Sequence, residues 1–158
     1  MDEDLERLKR YIELSYRHCY FLKRADKKLS NVKSEDDYIE TTDVLTTRFQ
    51  KLQSIIAEKI LPTLLRILGE DTSKPFIELY NKALKLDIVN IEFYKWQELR
   101  DERNTISHGD YEILEFDKLR LNIDSFRKEE VGELLKVYQH ILKFISSKIQ
   151  IDLEIKCV

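Results

Sequence analysis

Arg103-Asn104-Thr105-Ile106-Ser107-His108-Gly109 places a permanent cation, an amide and a titratable imidazole in one short run. Arginine carries five N–H donors in a planar fork that fits phosphate oxygens, and it stays charged at physiological pH. Histidine exchanges a proton near neutrality. Together they have the means to bind a phosphodiester and move its protons without a metal ion. The competing reading is structural: cations solvate the last carbonyls of a helix, with Arg103 paired to Asp101, Glu102 or a residue of a neighbouring helix.

Geometry sets the condition for the first reading. At about 100° per residue Arg103 and His108 lie some 140° apart on an unbroken helix, whereas Asn104 and His108 share a face. Convergence requires the long arginine to reach round, or the last turn to open at Gly109, a residue suited to a left-handed helix ending. A helix C-terminus favours protonated imidazole, and a cationic His108 is a competent general acid toward a leaving alkoxide.

Five helical segments are expected to position this run. The first, 3–29, carries Leu5, Leu8, Ile12, Cys19 and Leu22 at three- and four-residue steps. The second, 36–68, places Leu45, Phe49, Leu52, Ile56, Ile60, Leu64 and Ile67 on one side; Pro62 should kink it and Gly69 stop it. A short third helix over 74–86 starts near Pro75 and buries Phe76, Leu79, Tyr80 and Ala83. After a turn at 87–90, a fourth runs over 91–108, where Trp96, Leu99, Arg103 and Ile106 share a stripe. Arg103 thus stands where an apolar side chain is expected, and a charge in line with a core face usually has a partner or a ligand. Residues 109–127 read as a long connection whose partial alternation allows a short hairpin, and the last helix covers 128–151. The expected fold is all-α, an up-and-down bundle of four to five helices in a single domain over 1–158.

Composition narrows the classes. The 158 residues are 42% hydrophobic and 36% charged, enough for a real core under solvated helix faces, and three Gly and two Pro leave little turn chemistry for a many-stranded sheet. Net charge is −3, so no general pull toward nucleic acid exists and any RNA contact must be local or shared across an oligomer. Cys19 and Cys157 lack a CxxC partner and are expected to be reduced. No apolar run approaches the roughly 20 residues of a membrane span, and the acidic start Met1-Asp2-Glu3-Asp4-Leu5-Glu6 has no apolar signal core, so a cytoplasmic protein is expected.

The run Arg103-Asn104-Thr105-Ile106-Ser107-His108 resembles the Arg-x4-6-His motif of the HEPN superfamily, in which a polar residue such as Asn104 commonly follows the arginine. The preceding Trp96-Gln97-Glu98-Leu99-Arg100-Asp101-Glu102 and the place near the end of a helical bundle agree. Residues 44–111 are similar to the HEPN-type partners of minimal nucleotidyltransferases, including the HepT toxins and the nucleotidyltransferase substrate-binding subunits. The resemblance implies a HEPN-like bundle and, in many members, a metal-independent ribonuclease acting as a dimer with both motifs lining one cleft. Other members are inactive nucleotide-binding or regulatory subunits. On the active reading His108 transfers protons, Arg103 stabilises the phosphorane, and Asn104 orients phosphate or imidazole. HepT proteins continue His-x-Tyr and are adenylylated on that tyrosine; here the order His108-Gly109-Asp110-Tyr111 sets Tyr111, the modification candidate, one position further along.

Asp43 is a candidate partner for Arg103 on the second helix, with a solvated first-turn carboxylate as the alternative. Lys95 and Arg100 are candidate additions to a phosphate-binding surface, although Glu98, Asp101 and Glu102 interleave with them. His18 beside Cys19 lacks a second ligand cluster, and His140 reads as a surface histidine, so no metal and no cofactor is expected. The expected partners are a second copy of the chain, a minimal nucleotidyltransferase antitoxin and RNA or a nucleotide, with no DNA and no membrane. Three functions follow: a toxin ribonuclease, a non-catalytic nucleotide- or substrate-binding subunit, or a plain helical interaction domain.

Overall fold

The computed structural model describes residues 2–108 and 115–149, for residues 2 and 108 the backbone alone. The described chain is an all-α bundle. Helix α1 spans Asp2–Leu29 and α2 spans Glu35–Ile55. Ser34 caps α2 by accepting the Asp37 amide at 3.1 Å, and Glu35, Asp36 and Asp37 fill the first turn, where the helix dipole favours carboxylates.

Beyond α2 the chain stays helical through a widened π-turn, Ile56–Ile60, into α3, Leu61–Ile67. The expected disruption at Pro62 takes this form. Leu61 donates its amide back to the Ile56 carbonyl, and Pro62 stands in the first turn of α3, where its missing amide proton costs least. Gly69 closes the segment at φ +83°, a left-handed conformation that favours glycine, with the Glu70 amide reaching the Leu65 carbonyl at 2.9 Å.

Helix α4, Phe76–Lys85, ends on Asp87, which takes φ +64° while the Ile88 amide returns to the Ala83 carbonyl at 2.8 Å. Helix α5 spans Phe93–His108. The alternation suspected between 109 and 127 is helical over its described part: α6 spans Phe116–Phe126. Leu119, Ile123 and Phe126 recur at helical steps and are buried, whereas Leu121, which a hairpin would pair with them, is 71% exposed. The helix start expected at 128 is instead another π-turn, Arg127–Val131, through which α6 runs on into α7, Gly132–Phe144. Among the described residues the chain therefore makes five uninterrupted helical rods, two of them carrying internal π-turns.

The core unites Leu8, Ile12 and Leu22 of α1 with Leu45, Phe49 and Leu52 of α2 and Leu134, Tyr138 and Ile141 of α7. Each fully buried side chain of this size contributes about 1.5–3 kcal/mol of transfer free energy. Ser15 and Tyr138 satisfy each other within it at 2.5 Å, Ser15 passing its proton to the Ile12 carbonyl at 2.6 Å. Arg127 ties α6 to the end of α1, reaching Asp26 at 2.7 Å and Ser30 at 2.6 Å. Cys19, fully buried in α1, is disulfide-bonded rather than reduced as expected; its partner lies outside the described residues. No helix among the described residues is long and apolar enough to cross a membrane.

Candidate functional site

Two hydrogen bonds fix how α5 lies on α2. Buried Gln53 donates its amide to the Trp96 carbonyl at 3.0 Å, and Arg103 donates from a terminal nitrogen to the Gln50 amide oxygen at 3.2 Å. Moving up α5 means moving down α2, so the helices run antiparallel. Trp96, Leu99 and Ile106 enter the core, and Arg103, on the same stripe, is half-buried where the stripe meets solvent.

Beside it opens a cavity of about 640 Å³ whose lining includes Gln50, Trp96, Arg100, Arg103, Lys74 and Phe76. Its apolar wall belongs to an aromatic group: Tyr80 packs on Trp96 at 5.6 Å and on Phe76 at 6.0 Å between ring centroids, and its hydroxyl donates to the Ile91 carbonyl at 2.7 Å. Among the described residues the three cations of the lining face one carboxylate, Glu58. The cavity is therefore a positively charged recess with an aromatic wall.

Arg103 is under-satisfied there. Its Nε is buried without a hydrogen-bond partner among the described residues. It makes no ion pair with any of them either, so neither Asp101 nor Glu102 plays the counter-ion of the structural reading. Burial lowers its pKa from the ordinary value, and the neighbouring Arg100 adds to the effect. A half-buried guanidinium beside a second one, with a buried N–H unspent, gains from any anion that enters. Glu102 faces elsewhere, close enough to Glu130 to add to the burial that raises the Glu130 pKa.

The other expected residues fall as follows. Arg100 joins Arg103 at the cavity. Asn104 is half-buried one position on and is not part of the cavity lining, nor is the exposed Lys95. Asp43 is exposed on α2, and the side chain of that helix which Arg103 reaches is Gln50, seven positions further along. Antiparallel packing puts Asp43 toward the end of α5 that carries His108. The His108 side chain, Gly109 and Tyr111 lie outside the described residues, so proton transfer and modification remain expectations. His140 approaches the Asp87 carbonyl at 2.9 Å, away from this cavity, and His18 accepts from Arg48 at 3.1 Å. Among the described residues no group of three or more His, Cys, Asp or Glu is placed to hold a metal ion.

Gln50, Gln53 and Lys74 were not foreseen. Gln53 carried a faint signal, an amide next to the apolar stripe of α2; Gln50 and Lys74 carried none, because only tertiary packing brings them to α5. Comparison with protein-family models, with curated proteins and with solved structures finds no match for this chain.

Proposed function

We propose that this chain is a HEPN-type metal-independent ribonuclease that cleaves RNA through Arg103 and His108 in a dimer cleft and serves as the toxin of a pair with a nucleotidyltransferase antitoxin. The observation that carries the reading is the state of Arg103: half-buried with its Nε unspent, without a carboxylate counter-ion among the described residues, and lining a cationic recess. Arg127, which ties helices together, is held by two acids, Asp26 and Asp124. Arg103 is instead held in part by a neutral amide, which leaves its charge for a ligand.

The proposed reaction needs little else from the protein. A basic imidazole removes the proton of the RNA 2′-hydroxyl, and that oxygen attacks the adjacent phosphorus. Arg103 shares the charge of the resulting phosphorane through paired hydrogen bonds, with Arg100 adding to the field. The bond to the 5′ oxygen breaks, protonated His108 supplies the proton that this leaving oxygen takes up, and a 2′,3′-cyclic phosphate remains. One imidazole of the pair is base and the other acid, hence a dimer, with Asn104 orienting phosphate or ring. Expression should arrest growth, with arrest relieved by Arg103→Ala or His108→Ala. Undiminished arrest by the His108→Ala protein would refute the reading.

A second reading is favoured by the cavity itself. A recess of about 640 Å³ with an aromatic wall and three cations suits one nucleotide, base on the wall and phosphates on the cations. The chain would then be a non-catalytic subunit that presents a nucleotide to a separate nucleotidyltransferase. Saturable nucleotide binding, abolished by Arg103→Ala, in a protein that leaves RNA intact would select it.

A further inference from the structure

The helix that walls the Arg103 recess leaves one of its own carbonyls without a helical partner. A helix carbonyl takes an amide from four residues on, or from five residues on through a π-turn such as Ile56–Ile60. Ala57 has neither. Leu61, four residues on, donates to the Ile56 carbonyl, and five residues on stands Pro62, which has no N–H. The nearby Gln53 spends its side-chain amide on the Trp96 carbonyl at 3.0 Å. A helix carbonyl points along the axis toward the following turn, so this one lies between Ala57 and Pro62. Both residues are half-buried and both line the recess.

Glu58, the next residue, is exposed and belongs to the same lining. It makes no ion pair among the described residues, so Lys74, Arg100 and Arg103 leave its carboxylate unspent. The recess thus offers two chemistries: three cations for an anion, and a carbonyl and a carboxylate from neighbouring residues for an N–H donor. An inorganic anion uses the first alone. An ammonium ion uses the second and is repelled by the cations. A nucleotide whose base carries an exocyclic amine uses both. Its phosphate meets the cations, its ring meets the aromatic wall, and its amine has one hydrogen for each acceptor. Uracil has no amine, and its two carbonyls would meet acceptors.

We infer that the Arg103 recess selects a nucleotide with an exocyclic amine on its base, read by the Ala57 carbonyl and the Glu58 carboxylate. The inference rests on the recess taking a nucleotide, either free or as one unit of an RNA strand. It gives Pro62 a part in recognition: by withholding an amide, the proline keeps the Ala57 carbonyl for the ligand.

The test is titration calorimetry of the full-length protein with AMP and with purine riboside 5′-monophosphate, which differs only in lacking the amine. AMP should bind about tenfold more tightly, the worth of one to two hydrogen bonds. Pro62→Ala restores an amide in reach of the Ala57 carbonyl and should cut that preference about threefold. Glu58→Ala should cut it about threefold again, and the double variant should bind the two nucleotides equally. Helical circular dichroism should be kept in both, since alanine suits a helix at either position. The same preference for oligoadenosine over oligouridine in the His108→Ala protein would identify the ligand as a unit of RNA; a preference confined to AMP would identify a free nucleotide. Equal binding of AMP and its amine-free analogue by the wild type would overturn the inference and leave the nucleotide recess standing, as would a preference that survives the double variant. No binding of either mononucleotide or either oligomer would sink the nucleotide recess and the inference with it.

Discussion

Replacing Arg103 with methionine keeps the side-chain stem and removes the guanidinium, which separates a structural arginine from one held for a ligand. In the free protein the guanidinium leaves a buried Nε–H without an acceptor among the described residues and sits beside Arg100. An unsatisfied buried donor costs about 1–3 kcal/mol, and the bond to Gln50 returns about 1 kcal/mol. Gln50 is exposed, so losing Arg103 returns its amide to water rather than stranding it. The net effect of Arg103→Met on folding should therefore lie between about zero and 2 kcal/mol on the stabilising side, a rise in melting temperature of about 4–8 °C at most. The same substitution should lower RNA cleavage by about 10²–10³-fold, the usual loss for one transition-state donor. Urea unfolding followed by circular dichroism, run beside a cleavage assay on the same preparation, reads both. A loss of stability above about 2 kcal/mol would show Arg103 to be a strut, and the ligand reading of its unspent donor would fall.

Other consequences test the surrounding scaffold. Arg127→Met should destabilise by about 2 kcal/mol in thermal melts, after discounting the half-exposed Asp124 carboxylate, because it cuts α6 from Asp26 and Ser30 together. Tyr138→Phe should cost about 1 kcal/mol, since Ser15 keeps its bond to the Ile12 carbonyl and loses only the tyrosine donor. Burial first, then Arg48, Lys51 and Arg17, depress the His18 pKa below 6.5, so the unfolded chain takes up this proton more readily than the folded one. The stability His18 contributes is intact above pH 6.5 and is lost as pH falls toward the folded value. Urea unfolding at a series of pH values should show that loss in the wild type and a flatter profile in His18→Gln.

How much of this was legible in the sequence depends on the range of the interactions involved. The apolar stripes of α1, α2 and α7 repeat over several turns, and burial follows them closely. Helix α6 was not legible because Phe116, Leu119, Leu121 and Ile123 fit a strand nearly as well as a helix over so few residues; packing decided it. The π-turns left no mark except Pro62, which required some relief of its missing amide. Arg103 was readable as a charge on an apolar stripe, a local violation of the pattern. Its partner was not, because pairing with Gln50 depends on the register of α2 against α5, which no short-range spacing encodes.

Cleavage of a labelled RNA by the purified protein, in excess chelator, tests the central claim most directly. Wild type should cut and leave 2′,3′-cyclic phosphate ends, while Arg103→Ala and His108→Ala each lose about 10²-fold or more. Cleavage that survives in the His108→Ala protein, or that stops when divalent cations are removed, would contradict it.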